Sequence, residues 1–241
     1  MHRFFANETI VDRSVKLYGD DYNHINKVLR ISENEKVEVV VDRKLYIGNI
    51  KIYKDYILVF NLESVADNTE SDIRIHLLQC LVKGEKMDFI IQKAVELGVY
   101  DITLIDSKRC VVKFDSKKGN KKIDRFQKIS YESAKQSKRL IIPKVKDVIP
   151  LKNIMEYVSD NLLLVAYEED KRVSLRESIL NFKNTDKKDI YILIGSEGGF
   201  EREEIEWLVE RGAVSVGLGP RILRAETAGI NLISILQYEF M

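Results

Sequence analysis

The order of apolar and polar positions changes character once along the chain. Before residue 70 the apolar runs are short and β-branched: Lys36 to Val41, Leu45 to Ile52 and Tyr56 to Leu62, broken near Asp42 and Asp55. Such runs predict hairpins or a small barrel. Ahead of them, Asp20 to Leu29 places Tyr22, Ile25, Val28 and Leu29 on one face of a predicted helix. The polar stretch Ala66 to Asp72 has no periodicity and sets a domain boundary, giving a β-rich unit over 1–70 and a second unit over 71–241. In the second unit, strand-like runs alternate with helical ones. Ile73 to Val82, Ile102 to Ile105, Leu162 to Tyr167, Ile190 to Ile194 and Val214 to Leu218 read as strands. Glu85 to Leu97, Lys121 to Lys138, Glu201 to Glu210 and Thr227 to Phe240 read as helices. Continuous apolar strands between helices predict an α/β domain with a mostly parallel sheet. The last helix is apolar on two sides, which fits either a central core helix or a helix shared with a second subunit.

Composition narrows the class. The 241 residues are 45% apolar and 32% charged, ordinary for a globular protein. No apolar run reaches the roughly 20 residues needed to cross a bilayer, and the N-terminus lacks a signal-peptide segment, so a cytoplasmic protein with no membrane partner is expected. Two cysteines, Cys80 and Cys110, make neither a disulfide framework nor a zinc ligand set, and no metal is expected. Net charge is +1, yet Lys108 to Lys146 holds fourteen Lys and Arg against three acidic residues, a balance of +11. A basic block in a neutral chain points to a polyanion.

Open α/β sheets bind ligands at the carboxyl ends of their strands. Three loops are placed there: the one after Tyr167, with Glu168, Glu169 and Asp170; Ile194 to Phe200 (IGSEGGF); and Leu218 to Ala228 (LGPRILRAETA). Gly195, Gly198 and Gly199 allow backbone to approach a ligand closely. Neither a P-loop nor a dinucleotide fingerprint is present. Glu197, without a cation beside it in the loop, disfavours phosphate. Adenosine carrying a sulfonium amino acid is compatible, though the loops alone do not single it out. Arg221 and Arg224 suit an anionic group or a base oxygen.

Together these residues resemble the 16S ribosomal RNA uridine N3-methyltransferases, of the SPOUT class of knotted methyltransferases. The resemblance runs nearly end to end: Arg3-Phe4-Phe5; His24-Ile25 with Val28-Leu29-Arg30; Lys83-Gly84 and Lys86-Met87; Gln92-Lys93-Ala94 and Glu96-Leu97-Gly98; then Arg109, Glu132, Ala134, Gln136-Ser137, Arg139 and the two glycine loops. The chain departs from the pattern at Glu33-Asn34-Glu35, at Val41-Asp42-Arg43-Lys44 and at Glu201. The resemblance implies a small PUA-like β-barrel for RNA, followed by a SPOUT domain with a deep trefoil knot. It also implies a homodimer and methyl transfer from S-adenosyl-L-methionine to N3 of a uridine in 16S rRNA of the small ribosomal subunit.

The expected cofactor-binding residues are Leu164, Ala166, Tyr167, Glu168, Ile194, Gly195, Glu197, Gly198, Gly199, Leu218, Gly219, Arg221, Ile222, Leu223, Arg224, Thr227 and Ala228. The expected RNA contacts are Arg3, His24, Arg30, Lys83, Lys86, Lys93, Arg109, Gln136 and Arg139. Histidine is the usual base, but His2, His24 and His76 lie outside the cofactor loops. Arginine-assisted ionisation of the acceptor is therefore expected, with Arg224 first, Arg3 second, and Glu226 orienting Arg224 or accepting a proton. Two alternatives remain at this stage: a SPOUT methyltransferase acting on another RNA nucleotide, and a non-catalytic RNA-binding ribosome assembly factor.

Overall fold

The computed structural model describes residues 1–67, 69–112, 116–167 and 174–240, the side chains of 116–120 excepted. The chain divides into two compact units. One joins Met1–Glu70 to Ala134–Ile141, and the other joins Ser71–Ser133 to Ile142–Met241.

The first unit is a curled five-stranded sheet. Its strands are β1 (Arg3–Phe5), β2 (Val15–Leu17), β3 (Lys36–Val41), β4 (Lys44–Ile52) and β5 (Ile57–Val65), in the order β1-β3-β4-β5-β2. β1 runs parallel to β3, with Arg3 opposite Glu38, and the other pairs are antiparallel. Alternation works as expected in β3: Val37, Val39 and Val41 enter a core with Phe4, Leu17, Ile50, Ile57 and Val59. Val40 and Leu45 pack on Leu140, with Phe5 beside them. The β3–β4 hairpin turns through Asp42 (φ 47°) and Arg43 (φ 61°). Both central residues of such a turn need positive φ, and here neither is glycine. The helix expected over Asp20 to Leu29 is instead a five-residue α-helix, α1 (Gly19–Asn23), followed by a wider π-helical turn (His24–Leu29) that ends at left-handed Arg30.

Two arginines read as ligand contacts are structural in this unit. Arg3 is buried; its Nε donates to Glu38 (2.7 Å), its Nη2 to Asp67 (2.8 Å), and its Nη1 to the carbonyls of Lys138 (2.6 Å) and Arg139 (3.2 Å). Arg139, also buried, grips Glu70 through Nε and Nη2, and the Leu140 N–H donates to the same carboxylate. The expectation that Arg3 is catalytic, and that Arg3 and Arg139 hold phosphates, is therefore corrected: their donors are already spent on internal acceptors. Arg139→Glu would strand Glu70 and place two like charges together. It is expected to cost about 3 kcal/mol or more, since breaking a buried pair leaves an uncompensated charge. Thermal denaturation followed by circular dichroism checks this, and an unchanged midpoint would return Arg139 to the list of RNA contacts.

The second unit carries β6 (Arg74–Cys80), β7 (Asp101–Asp106), β8 (Lys144–Pro150), β9 (Leu162–Ala166), β10 (Asp189–Ile194) and β11 (Val214–Val216). They form one sheet in the order β11-β9-β10-β6-β7-β8, every pair parallel. Its helices are α2 (Lys86–Glu96), α3 (Ser116–Gln136), α4 (Ile154–Val158), α5 (Leu175–Lys183), α6 (Arg202–Val209) and α7 (Ala225–Glu239); the last turn of α3 belongs to the first unit. Gly98, at φ 94°, stops α2 as its position suggested. α7 packs on α2, β6 and β10 through Ala228, Gly229, Leu232, Ile233 and Leu236. No helix among the described residues is long and apolar enough to cross a membrane. Cys80 and Cys110 are both free and buried.

At the amino ends of β6, β7 and β10 lies a buried ionic cluster. His76 Nε2 meets Asp189 Oδ1 (2.8 Å), and His76 Nδ1 lies 3.0 Å from Asp101 Oδ1. Tyr191 stacks on the imidazole with ring centroids 4.3 Å apart. Arg74 braces Asp189, and Lys146 braces Asp101 (2.7 Å). Burial alone would raise the Asp101 carboxyl, but His76 and Lys146 outweigh it and hold it below the ordinary aspartate value. Asp189 is depressed against its own burial by Arg74 and His76. Depressed carboxyls stabilise the fold above the unfolded aspartate pKa of about 3.9, and that stability is lost as pH falls through their folded values. Asp101→Asn is thus expected to melt lower than wild type at pH 7 and to lose less stability between pH 5 and 3. Parallel melting-temperature profiles for the two proteins would refute the assignment.

Candidate active site

The cofactor loops leave the carboxyl ends of β10 and β11 and meet the start of α7. After β10, Ser196 to Gly199 form a tight turn, the Gly199 N–H donating to the Ser196 carbonyl (3.0 Å) with Gly199 at φ 66°. Arg109 clamps this turn. Its Nη1 donates to the Gly198 carbonyl (3.0 Å), while Nε and Nη2 take the two carboxylate oxygens of Glu201 (3.0 and 3.2 Å). The Ser196 hydroxyl returns a bond to the Arg109 carbonyl (3.1 Å). A side chain at Gly198 would meet Arg109 Cβ at 3.3 Å, a tight contact that the clamp would have to shift slightly to admit. Glu201, the departure noted in the sequence, is thereby the clamp's acceptor. Its guanidinium neighbour holds its carboxyl below the ordinary glutamate value.

The loops enclose a cavity of about 370 Å3. From the expected set, Ala166, Tyr167, Ile194, Gly195, Glu197, Gly199, Leu218, Gly219, Arg221, Ile222, Leu223, Arg224 and Ala228 line it. Leu164 is instead sealed in the core of β9, and Gly198 and Thr227 do not reach the wall. Glu168, with Glu169 and Asp170, lies outside the described residues. Lys86, Ser196, Phe200 and Ala225 complete the lining and were not in the expected cofactor set. Phe200 had a signal, as the last residue of the glycine loop. Lys86 had none, because its role depends on Glu197, 111 residues away.

Glu197 is the acid that disfavoured phosphate. Burial pushes its carboxyl up, but the Lys86 ammonium (3.0 Å), its own backbone and the Lys83 N–H (3.1 Å) hold it below the ordinary glutamate value. The wall combines glycine backbone, aliphatic and aromatic side chains, the Lys86–Glu197 ion pair and two exposed arginines, Arg221 and Arg224. It suits an uncharged purine nucleoside with a zwitterionic tail. Arg224 is exposed at the mouth and is the residue before the first turn of α7. Glu226 follows in that turn, with its Oε2 buried and unpartnered among the described residues. No bond joins Arg224 to Glu226, so the orienting role expected of Glu226 is not what the geometry provides. Among the described residues no cluster of three or more His, Cys, Asp or Glu could hold a metal.

The expected RNA contacts are dispersed. Arg30 and Gln136 are exposed in the first unit, and His24 sits half-buried with Nδ1 3.4 Å from Lys135 Nζ. In the second unit, Lys83 is exposed, Lys86 is paired with Glu197, and Lys93 is paired with Glu96 (2.8 Å). Part of the basic block is committed to internal ion pairs: Arg109, Arg125, Lys135, Lys138, Arg139 and Lys146 each face an acidic partner.

Comparison with known proteins gives a consistent picture. A family described as RNA methyltransferase domain matches residues 69–237. The chain is 33% identical to the ribosomal RNA small subunit methyltransferase E of Bacillus subtilis, over 92% of this chain and 88% of that one. It is 35% identical to the protein of the same name from Buchnera aphidicola of Acyrthosiphon pisum, over 93% and 87%. Its fold matches the crystal structure of a ribosomal RNA small subunit methyltransferase E from Neisseria gonorrhoeae bound to S-adenosyl methionine, with a TM-score of 0.87, 29% identity, and coverage of 98% and 97%.

Proposed function

The chain belongs to the RNA methyltransferase family that includes ribosomal RNA small subunit methyltransferase E, and from that premise we propose that its acceptor is N3 of one uridine in 16S rRNA, with the small ribosomal subunit as the setting. The protein is an S-adenosylmethionine-dependent rRNA methyltransferase. The observation that carries the reading is the cavity walled by Ile194–Phe200 and Leu218–Ala228, with the exposed Arg221 and Arg224 in its lining.

When bound, S-adenosylmethionine supplies an electrophilic methyl group. The backbone at Gly195, Ser196, Glu197 and Gly199, with Leu218, Leu223 and Ala228, would hold it. This chain's task is then alignment and charge. A uridine N3 becomes a competent nucleophile on losing its proton, and the charge spreads to the flanking carbonyl oxygens. Arg224 is placed to stabilise that charge. Glu226 Oε2, in the first turn of α7 where the helix dipole favours a carboxylate, is the proposed proton acceptor. The base must be unpaired or flipped out, because pairing occupies N3.

Further parts of the proposal rest on family membership and strand order. β10 lies between β9 and β6, both laid down earlier in the chain, and β11 then returns beyond β9. This order is compatible with the threaded loop of a trefoil knot. The first unit is proposed as a PUA-like RNA-binding domain, and the outer side of α7, with Tyr238 exposed, as part of a homodimer interface. Nucleoside mass spectrometry of 16S rRNA from a strain lacking this gene tests the acceptor: 3-methyluridine should vanish and return on complementation. Its persistence would reject the acceptor. Calorimetry that found no S-adenosylmethionine binding would favour an assembly factor.

A further inference from the structure

We propose that a second cavity in the α/β unit seats an RNA base next to the nucleotide being methylated. The inference rests on the reading of RNA as substrate. The cavity, about 390 Å3, lies at the carboxyl end of β6 between the start of α2 and the middle of α3. That volume is within the roughly 300–1,000 Å3 of small-ligand sites.

Its floor is apolar: Leu81, Val82, Met87 and Phe126 are buried, and Val112 forms a side. Its rim is cationic. Lys83 and Lys122 are exposed and have no acidic partner among the described residues. Arg125 is fixed over the Phe126 ring (5.2 Å to the centroid) by Asp88 (2.6 Å). The opposing charge at the rim is Glu85. An apolar floor beneath lysines that have no acidic partner among the described residues matches a nucleobase joined to its phosphates, since bases stack on aromatic and apolar surfaces while cations track the backbone. An internal packing defect would not need cations at its mouth.

The location supports the same occupant. The segment Lys83–Met87 lines this cavity, and its Lys86 and the Lys83 N–H hold Glu197 in the wall of the cofactor cavity. One short segment thus contributes to both cavities, Lys86 to the first and its neighbours to the second. A strand whose target base enters the first is placed to leave its neighbour in the second. Lys83, an expected RNA contact, acquires a defined place, and Lys122 and Arg125, absent from that set, join it.

The test uses the full chain, a labelled 16S rRNA transcript and S-adenosylmethionine. Val112→Trp fills the slot, and Lys83→Ala and Lys122→Ala remove rim charges. Val112→Trp should weaken transcript binding and raise the RNA KM about tenfold. Its affinity for S-adenosylmethionine by calorimetry should stay within twofold. Each lysine variant should make the salt dependence of RNA binding shallower by about 0.7 in log–log slope, the share of one single-strand phosphate. Wild-type RNA affinity in Val112→Trp, with cofactor binding intact, overturns the proposal. Should that variant also lose the cofactor, unchanged slopes in both lysine variants overturn it instead. A wild-type protein that neither binds nor methylates the transcript refutes the RNA reading itself, which separates the two failures.

Discussion

Arg224→Ala is expected to bind S-adenosylmethionine with near-wild-type affinity and to lose turnover by about 10²- to 10³-fold, the usual cost of removing one donor aimed at developing negative charge. The expectation follows from where the side chain is and from what it lacks. Arg224 lines the mouth of the cofactor cavity and is exposed, with no ion-pair partner among the described residues. Its charge is therefore available to a substrate. By contrast, Arg3, the other arginine considered for catalysis, spends its donors on Glu38, Asp67 and two carbonyls. Single-turnover methylation with saturating cofactor separates chemistry from binding. Full activity in Arg224→Ala would remove this residue from the mechanism, and a loss confined to cofactor affinity would recast it as a binding group. Arg224→Lys keeps the charge without the planar fork and should recover only part of the rate.

The second large effect concerns Gly195. A Cβ built there lies 3.1 Å from Phe200 Cε2 and 3.2 Å from the Gly199 Cα. The second neighbour is backbone, so the turn itself must move. The turn is not free to do so, because Arg109 holds its Gly198 carbonyl and Ser196 is tied to the Arg109 carbonyl. Gly195→Val is expected to lower S-adenosylmethionine affinity at least a hundredfold, about 2.7 kcal/mol, while the far-ultraviolet circular dichroism remains native. Gly195→Ala should fall between. Calorimetry reads both, and wild-type affinity in the valine variant would show that the cofactor does not use this backbone.

Much of this architecture is determined by sequence pattern alone. The short β-branched run Lys36 to Val41 specified a strand of a β-rich unit, and the unbroken apolar runs around Leu162 and Ile190 specified buried parallel strands. The two glycine loops marked the cofactor cavity because glycine spacing is local chemistry. Other elements were hidden for identifiable reasons. β1 and β2 are three residues long, too short to show a period. β8 carries Lys144, Lys146 and Asp147, and its place in the sheet is legible only once Lys146 is seen against Asp101. α5 did have a local signal, Ser174 capping the Glu177 N–H, but its flank lies against residues outside the described set.

What tertiary structure alone decided is the use of each charge. Sequence counts the Lys and Arg residues between Lys108 and Lys146 as one basic block. Folding assigns Lys135 to Asp21, Lys138 to Glu38, Arg139 to Glu70 and Arg109 to Glu201, partners 69 to 114 positions away. A buried ion such as Lys135 or Arg139 needs a counter-charge to offset desolvation, and the chain can bring that partner from any distance. Sequence therefore marked the loops that wall the cavity; the fold determined which cations are committed to internal partners.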